Sequence, residues 1–511
     1  MPPTYDTIII GAGSAGAAMA ARLSEDPERT VLLLEAGPDY PDLNALPEDL
    51  SLGTRASLDK HDWHWMGDAV PGRAVTYPRG KVTGGSSAVN GIVAIRGTPE
   101  DYDEWAKLGN PGWSFAECLP YFRKLEDDQD FGGDFHGKGG PIPIVRWRDD
   151  ELAPIQERFR QACLGLGYPR SEDHNVPEAS GVGAWAMNRN GTVRISTAIG
   201  YLAPARHRLN LTIRGNAHVH RILFEGTRAT GVEVESGGEL QRVNGTEIIL
   251  AAGALHSPAI LLRSGVGPRA HLADVGVPLV HDLPGVGENL KEHPSVVLLA
   301  RPKEGLIASG QPLQQMGLRY TSTGSDEAND MQMYMWSQDA DYTPQLRFIA
   351  DTQFLFMLCV TLQRPKSAGS VRLASANPED QPLIDINLLA EEADVERMAD
   401  GVRRAWAILT AGPIAEVTEE VLGPPQQVVE NDEMLRVFLK ERVSHLVHPV
   451  GTCKMGPASD AMAVVDARGN VHGLEGLRIA DASIMPNIPR ANTNLTAIMI
   501  GERIADFMRG R

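Results

Sequence analysis

Residues 7–35 read TIIIGAGSAGAAMAARLSEDPERTVLLLE, and this stretch decides the fold of the N-terminal region. Its pattern predicts a strand over 7–10, a glycine-rich turn, a helix over about 15–23 and a second strand over 31–34. A strand, a helix and a strand in this order open a βαβ unit. They indicate an α/β fold with a doubly wound parallel sheet.

The turn at 11–16 reads GAGSAG, which is the GxGxxG spacing of dinucleotide-binding proteins. Gly11 permits the tight turn, Gly13 lets the backbone approach a pyrophosphate, and Gly16 lets the helix pack closely on the strand. The helix N-terminus would hold the phosphates, and Glu35 at the end of the second strand would bind the ribose hydroxyls. The motif by itself does not separate FAD from NAD.

Hydrophobic patterns predict further elements downstream of this unit. Strands are expected within 211–252, at 331–336 and at 354–362, and helices over 388–409 and 494–508.

The chain has 511 residues, and its 66 acidic against 48 basic residues give a formal charge of −18. An acidic surface repels nucleic acid and anionic lipid, so neither is an expected partner. The four cysteines are too far apart in sequence for a zinc site or a disulfide framework, and no metal is expected. The longest apolar run, at 354–360, is too short to span a bilayer, and the N-terminus has no secretory-signal pattern. We therefore expect a cytoplasmic protein.

A second glycine-rich stretch, residues 77–91, reads YPRGKVTGGSSAVNG. A flexible loop could have this composition, but GGSS also offers bare amides and hydroxyls to a flat or anionic ligand. The stretch closely resembles one of the two signatures of the glucose–methanol–choline (GMC) flavoprotein oxidoreductases, and residues 253–267 resemble the other. Similarities at 284–290, 448–452 and 477–499 extend the resemblance along the whole chain.

The resemblance implies a doubly wound FAD-binding domain that is assembled from discontinuous segments. These segments would be 1–150, 206–298 and 447–511. The substrate-binding domain would comprise 151–205 and 299–446, as an antiparallel sheet with helices on one side.

The family's active-site histidine corresponds to His448, and the proline after it would fix the backbone there. Asn492 matches the second active-site position, which is His or Asn in the family. An amide donates and accepts hydrogen bonds but cannot take the proton, which leaves His448 as the base of the pair. His445 and His293 are interpreted as structural.

The implied cofactor is FAD, without a covalent link, because Val89 stands where the choline-oxidising branch carries the flavin-linking histidine. The C-terminal helix would aim its positive N-terminal end at the flavin. The residues expected around the FAD are Gly11, Gly13, Ser14, Ala15, Gly16, Glu35, Ala36, Trp65, Arg79, Gly80, Val82, Gly84, Gly85, Ser86, Asn90, Gly91, Val93, Val219, Ala252, Gly253, Asp481, Ala482, Asn492 and Thr493.

The implied function is oxidation of an alcohol to the aldehyde or ketone. His448 would remove the hydroxyl proton, hydride would pass to flavin N5, and Asn492 would hold the oxygen. Two alternatives stay open. Some hydroxynitrile lyases share this scaffold and its histidine, and the glycine-rich start alone would also suit a nicotinamide dehydrogenase.

The substrate and the electron acceptor are less constrained by the sequence. Met331, Met333 and Met335 alternate with polar and aromatic residues in a strand pattern. This methionine face either lines an adaptable apolar pocket or builds the sheet core, and we expect aryl or medium-chain primary alcohols as substrates. The acceptor is O2 or a quinone-like carrier. Leu446 and Thr83 are expected beside the flavin, where the bulk of Leu446 favours the carrier.

Overall fold

The computed structural model describes residues 4–341 and 351–510. One seven-stranded sheet has Thr4–Ile10 in its middle, paired in parallel with a strand on each side. In sheet order the strands are Leu211–Arg214, Val31–Leu34, Thr4–Ile10, Glu239–Leu250, Arg228–Ser236 and Ala217–Glu225, with Leu477–Ile479 added in parallel beside the end of Glu239–Leu250. The predicted βαβ opening and the doubly wound α/β domain are confirmed.

Two helices lie together against this sheet, one from each end of the chain. Ser14–Leu23 connects the first two strands, and Thr493–Met508 packs along it. They approach closely at Gly501, where a Cβ atom would lie 2.5 Å from a carbonyl oxygen of the first helix. A hydrogen bond of 2.7 Å from Ser14 Oγ to Asn494 Oδ1 joins their N-termini. Both helices therefore begin at the same place.

A second seven-stranded sheet is antiparallel throughout. In sheet order its strands are Thr418–Gly423, Pro294–Pro302, Phe354–Leu362, Met331–Asp339, Gln314–Tyr320 and Gly181–Ala184, and Ser444–His445 also pairs with Pro294–Pro302. The helices Pro154–Gly165 and Glu392–Thr410 pack against it. The expected antiparallel sheet with helices on one side is confirmed, whereas the domain bounds remain a prediction.

The strand Met331–Asp339 turns its two faces to different surroundings. Met331, Met333 and Met335 are fully buried beneath the helices, and a Cβ atom on Gly401 would lie 2.6 Å from Met331 Cε. Tyr334 and Trp336 on the opposite face line a cavity. Of the two alternatives that the sequence leaves open, the structure shows the second, since the methionines build the sheet core and do not line the cavity.

The other helices cover and connect the two sheets. They are Glu48–Ser51, Pro99–Lys107, Phe115–Leu125, Ala203–Ala205, Gly253–Arg263, Arg269–Asp274, Gly412–Val417, Gln426–Glu430 and Asp432–Arg442. The short strands are Met66–Val70, Arg73–Thr76, Ser370–Arg372 and Leu383–Asp385 in one sheet, and the pairs Glu126–Asp128 with Ile142–Ile144, Arg189–Asn190 with Val193–Arg194, and Val266–Gly267 with His281–Asp282. Among the described residues, no helix is both long enough and apolar enough to cross a membrane.

Candidate active site

A cavity lies beside the face of the second sheet that carries Tyr334 and Trp336, and the glycine turn at 11–16 forms part of its wall. Gly11 has a φ of +98°, and a Cβ atom there would lie 2.5 Å from the carbonyl oxygen of Ala251. A Cβ atom on Gly13 would come no closer than 3.9 Å to another atom, and one on Gly253 would meet nothing within 4 Å. The bare backbone at these two residues leaves the close approach that a pyrophosphate needs.

Three helices begin at this cavity. The first residues of Ser14–Leu23, Gly253–Arg263 and Thr493–Met508 all belong to its lining. The first turn of a helix has N–H groups without intrahelical partners, and the helix dipole adds partial positive charge there. These termini suit the anionic pyrophosphate of FAD and a flavin ring that gains negative charge on reduction.

Glu35 lies at the end of Val31–Leu34 and lines the cavity, as the spacing of the motif predicts. Its two oxygens accept the N–H groups of Ala12 and Gly37, each at 3.0 Å. Burial raises the pKa of Glu35 to about 7, and the two N–H groups oppose that shift. Each oxygen keeps acceptor capacity for a ribose hydroxyl, so the residues present fit FAD.

Most of the residues expected around FAD line this cavity. They are Gly11, Gly13, Ser14, Ala15, Glu35, Ala36, Arg79, Gly80, Gly85, Ser86, Asn90, Gly91, Val93, Val219, Ala252, Gly253, Asp481, Ala482, Asn492 and Thr493. The other four, Gly16, Trp65, Val82 and Gly84, lie behind this lining. A Cβ atom on Gly16 would lie 2.0 Å from the carbonyl oxygen of Gly11, so this glycine shapes the turn from behind. Which of these residues contact FAD remains a prediction.

The tryptophan at the cavity wall is Trp63 rather than the expected Trp65. Both indoles lie with their ring centroids 4.0 Å from that of His256. Lys81 Nζ is 4.3 Å from the centre of the Trp63 ring. Trp65 therefore supports the wall through His256.

Two charged residues of the lining hold other parts of the wall in place. Asp481 accepts the Gly253 N–H at 2.8 Å and the Ser257 hydroxyl at 2.5 Å, which ties the helix Gly253–Arg263 to the C-terminal segment. The Arg79 guanidinium donates to the carbonyl oxygen of Val447 at 2.5 Å, so the second glycine-rich stretch is joined to the segment before His448.

His448 is positioned through its backbone. The residue before it, Val447, has a φ of +58°, which is an uncommon and costly conformation for a β-branched side chain. The His448 N–H donates to both oxygens of Glu292, at 2.9 and 2.7 Å. Glu292 also accepts the His293 N–H at 2.8 Å and the Tyr77 hydroxyl at 2.6 Å. The sequence analysis did not identify Glu292. The one feature of the sequence that could have pointed to it is its position just after the stretch 284–290, which resembles the family.

The His448 ring has a partner at each nitrogen. Nε2 lies 3.2 Å from Asn492 Nδ2, and Nδ1 lies 3.1 Å from Nδ1 of His293. Burial lowers the pKa of His448 well below its ordinary value, and His293 and Arg79 add to the shift. His448 is therefore neutral at physiological pH, and the pairing of His448 with Asn492 is as expected.

His445 bonds the backbone through both of its ring nitrogens. Its Nε2 lies 2.8 Å from the carbonyl oxygen of Thr76, and its Nδ1 accepts the Val447 N–H at 3.2 Å. A carbonyl oxygen can only accept, so Nε2 carries the hydrogen and both nitrogens are in use. This arrangement supports the interpretation of His445 as structural.

The wall that leads away from Asn492 is aromatic and amide-rich. The Tyr334 hydroxyl oxygen lies 3.1 Å from Asn492 Oδ1 and 2.8 Å from Gln332 Oε1, and its one hydrogen can bond only one of them at a time. Next along the strand, Trp336 Nε1 donates to Gln314 Oε1 at 2.8 Å, and Gln314 Nε2 donates to the carbonyl oxygen of Gly91 at 3.2 Å. The side chains of Tyr334, Trp336 and Gln314 that line this wall are uncharged.

Comparison with known proteins identifies the family. Models described as GMC oxidoreductase match residues 5–295 and 365–501. The chain belongs to the GMC oxidoreductase family. It is a FAD-dependent oxidoreductase that acts on CH–OH donors, and the alternative of a nicotinamide dehydrogenase is excluded.

Several relatives are similar over nearly the whole chain. A GMC-type oxidoreductase of Rhodococcus erythropolis is 37% identical over 99% of this chain and 98% of its own. An oxygen-dependent choline dehydrogenase of Chromohalobacter salexigens is 38% identical, with 99% and 95% covered. Among solved structures, pyridoxine 4-oxidase from Mesorbium loti has a TM-score of 0.89 at 30% identity, with 99% of both chains covered. A formate oxidase variant of Aspergillus oryzae has a TM-score of 0.90 at 25% identity, with 100% and 98% covered.

Proposed function

We propose that this GMC family member oxidises an uncharged primary alcohol, aromatic or aliphatic, to the aldehyde. FAD, when bound, supplies the hydride acceptor. The observation that carries the proposal is the approach of His448 Nε2 and Asn492 Nδ2, 3.2 Å apart at the cavity wall. A substrate hydroxyl that lies next to both groups and replaces this bond would give its proton to the imidazole while the amide donates to its oxygen.

His448 is ready for this role at neutral pH. Its lowered pKa keeps the ring unprotonated, so the lone pair is available without prior loss of a proton. Asn492 is held by the Tyr334 hydroxyl and can donate to the alkoxide-like oxygen, but it cannot take the proton. The lone-pair nitrogen of His445 is taken by the backbone N–H of Val447, whereas Nε2 of His448 meets a side-chain amide at the cavity wall, so His448 is the base that the geometry supports.

The uncharged wall supports an uncharged substrate. Tyr334, Trp336 and Gln314 offer aromatic faces and amides next to the reactive pair, with no carboxylate among them to pair with a quaternary ammonium. Although several relatives are named choline dehydrogenases, we propose aryl or medium-chain alcohols, because a choline ammonium would find only the aromatic faces of Tyr334 and Trp336 on this wall and no carboxylate among its three side chains.

The electron acceptor is a separate proposal. Leu446 lines the cavity beside His448, whereas Thr83 is not part of the cavity lining. The bulk of Leu446 supports a quinone-like carrier, while the names of the relatives include oxygen-dependent enzymes and oxidases. Mixing reduced enzyme with air-saturated buffer in a stopped-flow instrument decides between them. Reoxidation faster than turnover, with one peroxide per flavin, would show an oxidase.

An anaerobic screen tests the proposed reaction. Holoenzyme is mixed without oxygen with benzyl alcohol, 1-hexanol, choline or glucose, and the visible absorbance of the flavin is followed. We expect benzyl alcohol and hexanol to bleach the flavin fastest. Preferential bleaching by choline or glucose would contradict the proposed substrate class. Cleavage of a hydroxynitrile while the flavin stays oxidised, with no bleaching by any alcohol, would show a lyase.

A further inference from the structure

Two buried histidines face each other beside the cavity, and one of them has no role in the reaction proposed above. His293 is 0% exposed, and its Nδ1 lies 3.1 Å from Nδ1 of His448. Its Nε2 lies 3.2 Å from the carbonyl oxygen of Pro489, in the segment just before the C-terminal helix. The two rings stand nearly perpendicular, with an interplanar angle of 86°.

The carbonyl oxygen of Pro489 determines which nitrogen of each histidine carries a hydrogen. A carbonyl oxygen can only accept, so the hydrogen of His293 lies on Nε2 and points at Pro489. Full burial lowers the pKa of His293 to about 3, so the ring is neutral and carries a single N–H. Its Nδ1 is therefore a lone pair and must accept from His448.

The position of the hydrogen on His293 also determines the position of the hydrogen on His448. Because His293 Nδ1 can only accept, the 3.1 Å contact requires the hydrogen of His448 to lie on its Nδ1. The lone pair of His448 is then on Nε2, where it accepts from the Asn492 amide at 3.2 Å. This amide orientation places Asn492 Oδ1 3.1 Å from the Tyr334 hydroxyl, whose single hydrogen Oδ1 shares with Gln332 Oε1 at 2.8 Å.

We propose that His293 is a positioning residue that holds His448 in the Nδ1–H tautomer, with its basic nitrogen aimed at the substrate hydroxyl. The inference rests on the proposed role of His448 as the base. The arrangement has the logic of a serine-protease triad, in which the group behind the histidine selects its tautomer, but here that group is a neutral imidazole.

Because His293 is neutral, the proton that His448 takes from the substrate hydroxyl has no further acceptor. When His448 Nε2 takes the hydroxyl proton, the imidazolium keeps its Nδ1–H bond to His293. His293 cannot pass a proton onward, since its Nε2 hydrogen is already directed at the carbonyl oxygen of Pro489. The proton therefore stays on His448, and its charge stays next to the site where hydride is transferred.

Glu292 fixes the positions of His293 and His448 relative to each other. Its carboxylate accepts the backbone N–H of both His293 and His448. The tautomer is thus set through side chains, while the relative position of the rings is set through the backbone. This separation allows a variant of His293 to lose the tautomer without losing the placement of His448.

Neutron diffraction from crystals of the deuterated holoenzyme observes the proposed hydrogens directly and needs no substrate. We expect deuterium on Nδ1 of His448 and on Nε2 of His293, with none on Nε2 of His448. Deuterium on His448 Nε2 and none on its Nδ1 would overturn the inference. Because this result does not depend on turnover, it is independent of whether the proposed substrate is correct.

Two variants give a kinetic test. In His293→Leu nothing accepts from His448 Nδ1, so we expect the limiting rate of flavin reduction to fall by about 10²-fold or more at unchanged substrate affinity. In His293→Asn the amide oxygen can take the place of Nδ1, and we expect recovery of at least part of the rate. The matched control is His472→Leu, because His472 also bonds a backbone carbonyl, that of Gly456 at 3.0 Å, outside the cavity lining.

Equal rates in His293→Leu and in the wild type would refute the positioning role, as would a loss of equal size in His293→Asn and His293→Leu. A rise in substrate dissociation constant without a change in the limiting rate would show a binding role instead. Flavin content and the visible spectrum of each variant establish that the holoenzyme has formed. If His293→Leu does not fold, His293→Asn and the neutron structure still decide the question.

Discussion

Replacement of Glu292 tests how the base is held, and its cost can be worked out bond by bond. The carboxylate accepts three buried donors, which are the N–H groups of His448 and His293 and the hydroxyl of Tyr77. Glu292→Ala leaves all three without a partner, and each unsatisfied buried donor costs about 1–3 kcal/mol. The sum, about 3–9 kcal/mol, is comparable to the whole stability of a typical domain, about 5–15 kcal/mol. We expect little folded Glu292→Ala protein.

Glu292→Gln is the informative variant because it keeps the shape of the side chain. Its amide oxygen can accept the two backbone N–H groups, and its amide nitrogen can donate to the oxygen of Tyr77. The charge is lost, together with the acceptor of the Tyr77 hydroxyl hydrogen and the second contact of the His448 N–H, so we expect a decrease of about 1–3 kcal/mol in the free energy of unfolding, less than in Glu292→Ala. Urea unfolding followed by circular dichroism and flavin fluorescence measures it, with Tyr77→Phe as the control that removes one donor alone. A Glu292→Ala variant as stable as the wild type would refute this account of Glu292.

Three further predictions concern the cofactor and the base. Val89 cannot alkylate the flavin, so denaturation and filtration should leave the yellow colour in the filtrate; colour on the precipitated chain would contradict this. Gly11→Ala should lose FAD affinity, because φ is +98° and a Cβ atom would lie 2.5 Å from the Ala251 carbonyl oxygen; titration of apoprotein with FAD checks it. The lowered pKa of His448, which contacts Glu292 and His293 and faces His445 and Arg79, puts protonation of the base below the ordinary histidine range of about 6.5. Because burial raises the pKa of Glu292 to about 7, the test is made in Glu292→Gln, where flavin reduction should stay constant as pH falls from about 8 to about 6; a fall in rate centred near about 6.5 in that variant would contradict it.

Local patterns were sufficient to predict the FAD side of the site. The spacing of Gly11, Gly13 and Glu35 is set by consecutive elements, and each of these residues lies on the cavity wall as expected. Short-range spacing carries this information because a strand, a turn and a helix fix the positions of their own residues. His448 and Asn492 were indicated by the resemblance to the GMC family and not by spacing within one motif.

The support of the base could not be predicted, since it depends on long-range contacts. Glu292 contacts His448 across 156 positions, and His293 reaches Pro489 across 196. The left-handed backbone of Val447 has no sequence signal, because valine normally avoids it. Alternation at 331–336 separated two faces of a strand, but only the packing of the helix Glu392–Thr410 shows that the methionine face is covered.

The central claim, that His448 is the base for alcohol oxidation on FAD, is tested most directly by anaerobic stopped-flow reduction of the flavin with benzyl alcohol. Wild type, His448→Ala and the remote control His472→Ala are compared at equal flavin content. We predict a limiting rate that is about 10²–10⁴-fold lower in His448→Ala, the usual contribution of a positioned general base, and unchanged in His472→Ala. Reduction of His448→Ala at the wild-type rate would contradict the claim.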